Sequence, residues 1–126
     1  MIDVVAALIK KDDKFLICQR SSKKDNSLLW EFVGGKVEKN ESKENALIRE
    51  CFEELRITVK VGKLYAQQIY KYPDKIIRLS LFEAEIVQGV PKLLEHNDIK
   101  WITLSETAMY QFCPADKFFI EKMLRQ

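Results

Sequence analysis

Residues 34–57 read GGKVEKNESKENALIRECFEELRI, and the periodicity inside this stretch decides the fold. From Ser42 to Leu55 the apolar residues Leu47, Ile48, Cys51, Phe52 and Leu55 recur at helical spacing on one side. Ser42 suits the N-cap, because its hydroxyl can accept an otherwise unpaired amide of the first turn. Glu50, Glu53 and Glu54 fall largely on the opposite face, within an arc of roughly 100°. Carboxylates this close repel one another unless a cation sits among them. Hard divalent ions prefer such oxygen ligands. A bare acidic helix face is usually just solvated, so the surroundings carry the argument. Arg49 stands beside the first acid and can orient a carboxylate by a charge-assisted hydrogen bond. Glu41 lies just ahead of the helix, and Gly34-Gly35 permits close approach of backbone to a ligand.

Outward from this helix the chain alternates between strands and helices. Ile2 to Ile9 is apolar and β-branched, Lys11 to Lys14 is a polar turn, and Phe15 to Cys18 is a second apolar run, which together predict a hairpin. Ser21 to Ser27 reads as a loop. Leu28 to Val33 reads as extended, with Gly34-Gly35 as a break. After the helix, Ile57 to Val61, Leu64 to Tyr72, Ile76 to Ile86 and Ile99 to Leu104 read as strands, the middle pair joined around Pro73-Asp74. Ala115 to Leu124 reads as an amphipathic helix with Pro114 at its start. The pattern predicts an α/β fold, a mixed β-sheet with helices packed on its faces.

The 126 residues fit one domain, 1–126, with no repeat and no low-complexity tract. Hydrophobic residues make up 47% of the chain and charged residues 32%, enough for a core under a solvated surface. The net charge of +2 and the absence of a long basic run argue against a nucleic-acid partner. The N-terminal apolar run is too short to span a bilayer and lacks a cleavage site, so a cytoplasmic protein without a membrane partner is expected. Cys18, Cys51 and Cys113 show no CxxC spacing and read as reduced core thiols.

The pattern from Gly35 through Glu41 to Arg49-Glu50-Cys51-Phe52-Glu53-Glu54-Leu55-Arg56-Ile57 resembles the Nudix box. That box is a glycine, five residues, a glutamate, seven residues, Arg-Glu, an apolar residue, any residue, Glu-Glu, any residue, glycine and an apolar residue. The match covers 23 of 126 residues. Arg56 stands at the usual glycine, a position that often needs a left-handed backbone, and Cys51 stands where a larger aliphatic is common. The resemblance implies the Nudix α/β/α sandwich and a hydrolase of the diphosphate linkage of nucleotides, with Mg²⁺, or Mn²⁺ in its place, as cofactor. Carried over residue by residue, it implies Gly35, Glu50, Glu53, Glu54 and Glu95 as metal ligands. It implies Glu50, Glu53, Arg49 and Glu95 as catalytic groups, with the general base left open among Glu50, Glu53 and Glu95.

Leu29 to Glu38 is similar to the strand entering the box in the MutT-type branch and equally in the CTP pyrophosphohydrolases, with Val33 at a frequent proline. Phe112-Cys113-Pro114-Ala115-Asp116 resembles the base-reading segment of that branch. The resemblance implies substrate contacts from Arg20, Phe32, Gly34, Lys36, Lys75 and Asp116. Read as an ionised carboxylate, Asp116 only accepts hydrogen bonds, two from guanine or one from the cytosine amino group. His96 reads as a loop residue. Three functions are therefore expected to compete. The first is a pyrophosphohydrolase that releases a nucleoside monophosphate and pyrophosphate and sanitises oxidised dNTPs such as 8-oxo-dGTP before they reach DNA. The second acts on CTP or modified cytidines. The third is a non-catalytic nucleotide-binding domain. Either a monomer or a homodimer fits.

Overall fold

A computed structural model describes residues 1–126. Its elements are β1 (Ile2–Lys11), β2 (Lys14–Gln19), β3 (Trp30–Glu31), β4 (Gly34–Lys36), α1 (Lys43–Leu55), β5 (Thr58–Tyr72), β6 (Lys75–Gln88), β7 (Asp98–Thr103), a 3₁₀ turn (Leu104–Met109) and α2 (Pro114–Leu124). The sheet is mixed. β1 runs parallel to β6 from Ile2↔Ile77 to Ile9↔Ala84, and antiparallel to β4, while β5 and β6 form a long hairpin. β2 pairs with the end of β1, with β3 and with β7, all antiparallel.

β1 is apolar from Val4 to Ile9 because both of its faces are covered there. Val5, Ala7 and Ile9 point to one side, with Leu16 and Cys18 of β2, and pack on Ala46, Leu47, Cys51 and Leu55 of α1. Ala6 and Leu8 point to the other, with Phe15 and Ile17, and pack on Ala115, Phe119, Ile120 and Met123 of α2. The strand period of two thus builds two cores, one under each helix. This is the expected α/β/α sandwich. The three cysteines are buried and free, as expected.

Four expectations change. Gly34-Gly35 does not break a strand but forms one, with Gly34 opposite Ala6 and Gly35 opposite Val5. Its signal was hidden because glycine has no side chain to show alternation. The strands expected at Ile57–Val61 and Leu64–Tyr72 merge into β5, which bends at register shifts between Val61 and Leu64 and between Leu64 and Ala66. On α1, Ile48 and Phe52 stay exposed, so the buried stripe is narrower than the apolar one. The 3₁₀ turn after β7 was not foreseen. Its Thr103–Glu106 capping box, with the Glu106 carboxylate accepting the Thr103 amide at 2.7 Å, is local side-chain chemistry that hydrophobic periodicity does not report.

Ser42 caps α1 as expected, accepting the Asn45 amide at 3.1 Å. The helix ends on Arg56, whose φ of 56° and ψ of 35° are left-handed. A β-carbon there costs about 1–2 kcal/mol. The Arg56 guanidinium lies 5.1 Å from the Phe52 ring centroid, an exposed contact that returns about 0.5–1 kcal/mol. Arg56→Gly is therefore expected to raise stability by about 0.5–1 kcal/mol. Urea unfolding checks this, and a lower midpoint for the variant would contradict it.

Candidate active site

The acidic site grows from the join between β4 and α1. Gly35 lies against the Glu50 carboxylate so closely that a β-carbon on Gly35 would collide with it. Arg49 is the hub of the loop and the helix. Its Nε donates to Glu41 Oε2 at 2.7 Å and its Nη2 to Glu41 Oε1 at 2.9 Å. Its Nη1 donates to Glu50 Oε1 at 2.7 Å and to Glu53 Oε1 at 2.9 Å. Its Nη2 also reaches the Lys36 carbonyl at 3.1 Å. The Arg49 guanidinium, helped by the Glu38 amide, holds the Glu41 carboxyl down at about 2. Glu41 is thus the anchor of the arginine, and Arg49 orients two of the helix acids rather than one.

Glu54 differs from its neighbours. Its side chain is 13% exposed, and its Oε1 is buried with no hydrogen-bond partner. Burial, then the charges of Glu50, Glu31 and Glu95, push its carboxyl up to about 8. A buried carboxylate oxygen with nothing to accept from is costly. The carboxylates of Glu50, Glu31 and Glu95 crowd around it, with His96 Nε2 at 3.9 Å, and clustered carboxylate oxygens are the chemistry a hard divalent cation satisfies. Glu95 stands exposed in the segment before β7, near enough for Glu54 to feel its charge. Glu50, Glu53 and Glu54 thus cluster toward the C-terminal end of α1 with Glu95 nearby, and Glu41 is tied to them through Arg49.

A cleft of about 290 Å³ runs from this acidic end to α2. Gly34, Gly35, Lys36 and Glu54 line one part of it, and Arg20, Glu31, Cys113 and Asp116 another, with Ile2, Val4, Tyr72, Ile77 and Leu79 as apolar wall. Asp116 sits in the first turn of α2, buried, with its Oδ1 accepting the Phe32 amide at 3.2 Å. Its carboxylate, the Glu31 carboxylate and the Cys113 thiol lie within 4.8 Å of one another. Burial, then Glu31, raise the Asp116 carboxyl well above its ordinary range, against the pull of the Phe32 amide and Arg20. The upward shift favours the protonated carboxyl, which would offer one donor beside one acceptor, over the ionised form, which only accepts.

Of the other expected contacts, Arg20 lines the cleft but spends Nη1 on Glu31 Oε1 at 2.9 Å and Nε on the Asp25 carbonyl at 2.7 Å. The Phe32 ring is core, 5.9 Å from Phe15 and 6.5 Å from Phe119, and its amide serves Asp116. Lys36 and Lys75 are exposed on the rim, Lys75 Nζ lying 5.7 Å from the Tyr72 ring. Phe112 is half-buried and bridges to Trp30 rather than entering the cleft wall. Glu31 and Tyr72 were missed. An acid between Trp30 and Phe32 was the available signal for Glu31, whereas Tyr72 has none apart from its place before the Pro73-Asp74 turn.

The NUDIX domain family matches residues 1–123. The chain belongs to the Nudix hydrolase family. This Nudix hydrolase is 39% identical to the CTP pyrophosphohydrolase of Escherichia coli K12, over 98% of this chain and 92% of that protein. It is 30% identical to the 8-oxo-dGTP diphosphatase of the same organism, over 96% and 94%. The crystal structure of the MutT protein from Methanosarcina mazei Go1 superposes with a TM-score of 0.88 at 30% identity, covering 98% of this chain and 93% of that one. The chain is thus a MutT-type Nudix hydrolase. Nudix hydrolases generally depend on divalent metal. No helix here is long and apolar enough to cross a membrane.

Proposed function

We propose that the protein is a Mg²⁺-dependent nucleoside triphosphate pyrophosphohydrolase, releasing a nucleoside monophosphate and pyrophosphate, and sanitising oxidised deoxynucleotides such as 8-oxo-dGTP. The observation that carries this reading is a single cleft with the unsatisfied Glu54 oxygen at one end and Asp116 at the other. The protein then works as one cytoplasmic domain, 1–126, on small nucleotides rather than on nucleic acid.

Glu50, Glu53, Glu54 and Glu95, with the Gly35 carbonyl, would hold Mg²⁺, and Mn²⁺ would substitute. Bound there, the ion neutralises polyphosphate charge and lowers the pKa of a water. Catalysis of this class is positioning and charge neutralisation, and Arg49 supplies the positioning by fixing Glu50 and Glu53. Lys36 on the rim adds charge toward the phosphates. Glu95 is the favoured proton acceptor, because the guanidinium of Arg49 already occupies an oxygen of Glu50 and of Glu53.

With a proton on its carboxyl, Asp116 selects a base edge that presents an acceptor beside a donor. In 8-oxoguanine, O6 and N7–H form such an edge, whereas guanine N7 is an acceptor. Cytosine offers N3 beside its amino group, and the 39% identity to a CTP pyrophosphohydrolase favours cytidine nucleotides as a second reading. Turnover of 8-oxo-dGTP, dGTP, CTP and 5-methyl-dCTP separates the two. A preference for 8-oxo-dGTP over dGTP of tenfold or more supports the first reading, and a preference for the cytidines the second. Asp116→Asn keeps a donor and an acceptor and is expected to stay within about tenfold of wild type. Asp116→Leu is expected to lose about 10⁴-fold in kcat/KM, the scale on which a hydrogen-bonding site rejects a partner it cannot pair. Equal activity of the Leu variant would overturn the assignment of Asp116.

A further inference from the structure

His96 is the chain's one histidine, and its side chain is only 6% exposed. A polar ring taken out of water needs partners to offset the loss. Its Nε2 lies 3.2 Å from Glu31 Oε2 and 3.9 Å from Glu54 Oε1, while Nδ1 is buried with no partner. A carboxylate only accepts, so Nε2 is the donor to Glu31. The other oxygen of Glu31 is held by Arg20 at 2.9 Å, so Glu31 is gripped from both sides.

The segment that carries His96 is pinned at both ends. The Asn97 amide donates to the Gln19 carbonyl at 2.8 Å, and Asn97 Nδ2 to Gln19 Oε1 at 2.6 Å, which fastens it to β2. The Lys92 amide donates to the Leu55 carbonyl at 2.9 Å, which fastens it to the end of α1. His96 is therefore a fixed wedge between one acid on β3 and one on α1. Arg20, Glu31 and His96 are joined by hydrogen bonds, and His96 Nε2 stands 3.9 Å from Glu54 Oε1, a packing contact beyond hydrogen-bond reach.

We propose that His96 is a positioning residue: its imidazole, anchored on Glu31, sets the orientation of Glu54 toward a divalent cation. This rests on the metal-binding reading of Glu54 above. Groups that orient a metal ligand without touching the metal typically govern its affinity by 10–100-fold. A ring that merely filled space would be replaceable by any residue of similar bulk. A positioning role instead demands a donor at the reach of Nε2. Gln places its amide near that point, whereas Asn is one methylene too short.

The test is Mn²⁺ binding to the nucleotide-free protein, read by the electron paramagnetic resonance signal of free Mn²⁺, with thermal melts alongside. His96→Ala and His96→Asn are expected to weaken Mn²⁺ about tenfold or more, and His96→Gln to recover most of the loss. The Mg²⁺ concentration for half-maximal turnover should move in parallel, with KM for the nucleotide changed less than twofold. Should His96→Ala not fold, the Gln and Asn pair decides alone. Gln and Asn variants that bind alike, whether both tightly or both weakly, would overturn the assignment. Wild-type protein that binds no Mn²⁺ would instead overturn the metal reading itself, and this inference with it.

Discussion

Glu53→Gln is expected to lower turnover by more than about a hundredfold while leaving the folded state nearly as stable as before. Loss of a group that only orients a metal ligand already costs roughly 10–100-fold, and the loss of a ligand itself should cost more. The fold has little at stake. Glu53 is 49% exposed, and its one ion pair is to Arg49, four residues earlier on the same helix. Such exposed pairs contribute about 0–1 kcal/mol. Arg49 keeps Glu41 and Glu50, so the loop and the helix stay joined. Gln preserves the shape while removing the charge and replacing one carboxylate oxygen with an NH₂ donor. Pyrophosphate release measured beside the melting temperature decides the matter. A variant with wild-type turnover would remove Glu53 from the site.

The second large effect comes from two adjacent glycines that should fail in different ways. Neither has a positive φ, so both are glycine for reasons of space. At Gly34 a β-carbon would drive into the Val5 carbonyl and the Ala6 backbone, where β4 lies against β1. Backbone cannot rotate out of the way, so β4 must shift. Gly34→Ala is expected to cost about 1–3 kcal/mol or more of stability, as overpacking does elsewhere. At Gly35 the obstacle is the end of a flexible side chain, the Glu50 carboxylate. It can swing aside, at the loss of its 2.7 Å bond from Arg49. Gly35→Ala is therefore expected to fold with a loss of about 1 kcal/mol or less and to lose most of its turnover. Urea unfolding and kcat on both variants check the contrast. Gly35→Ala with full activity would show that the position of Glu50 against β4 is not required.

How much of this could be read in advance depended on what a residue's signal was made of. The helix over residues 42–55 and its N-cap were legible because periodicity and capping are local. So were β1 and β2, whose apolar runs reflect burial on both faces. Gly34-Gly35 misled because the turn signal of glycine is indistinguishable from its use as a thin strand. Ile48 and Phe52 misled because a helix can carry more apolar surface than its neighbours cover. At the site, Arg49, Glu50, Glu53 and Glu54 were visible through motif spacing and Asp116 through a short segment resemblance; Glu54 and Asp116 line one cleft, and Arg49 ties Glu50 and Glu53 together beside it. What the sequence could not show was burial and partnership. Glu31, 85 residues earlier in the chain, stands beside Asp116 only in the fold, and His96 reads as a loop residue until Glu31 and Glu54 flank it.

The central claim is that the clustered acids act through a divalent cation to split a triphosphate at an internal phosphorus. Its most direct test is to resolve the products of CTP and 8-oxo-dGTP by phosphorus NMR, with Mg²⁺ and with EDTA. Nucleoside monophosphate with pyrophosphate in magnesium, and no product in EDTA, is the result expected. Nucleoside diphosphate with orthophosphate, or turnover that survives the chelator, would contradict it.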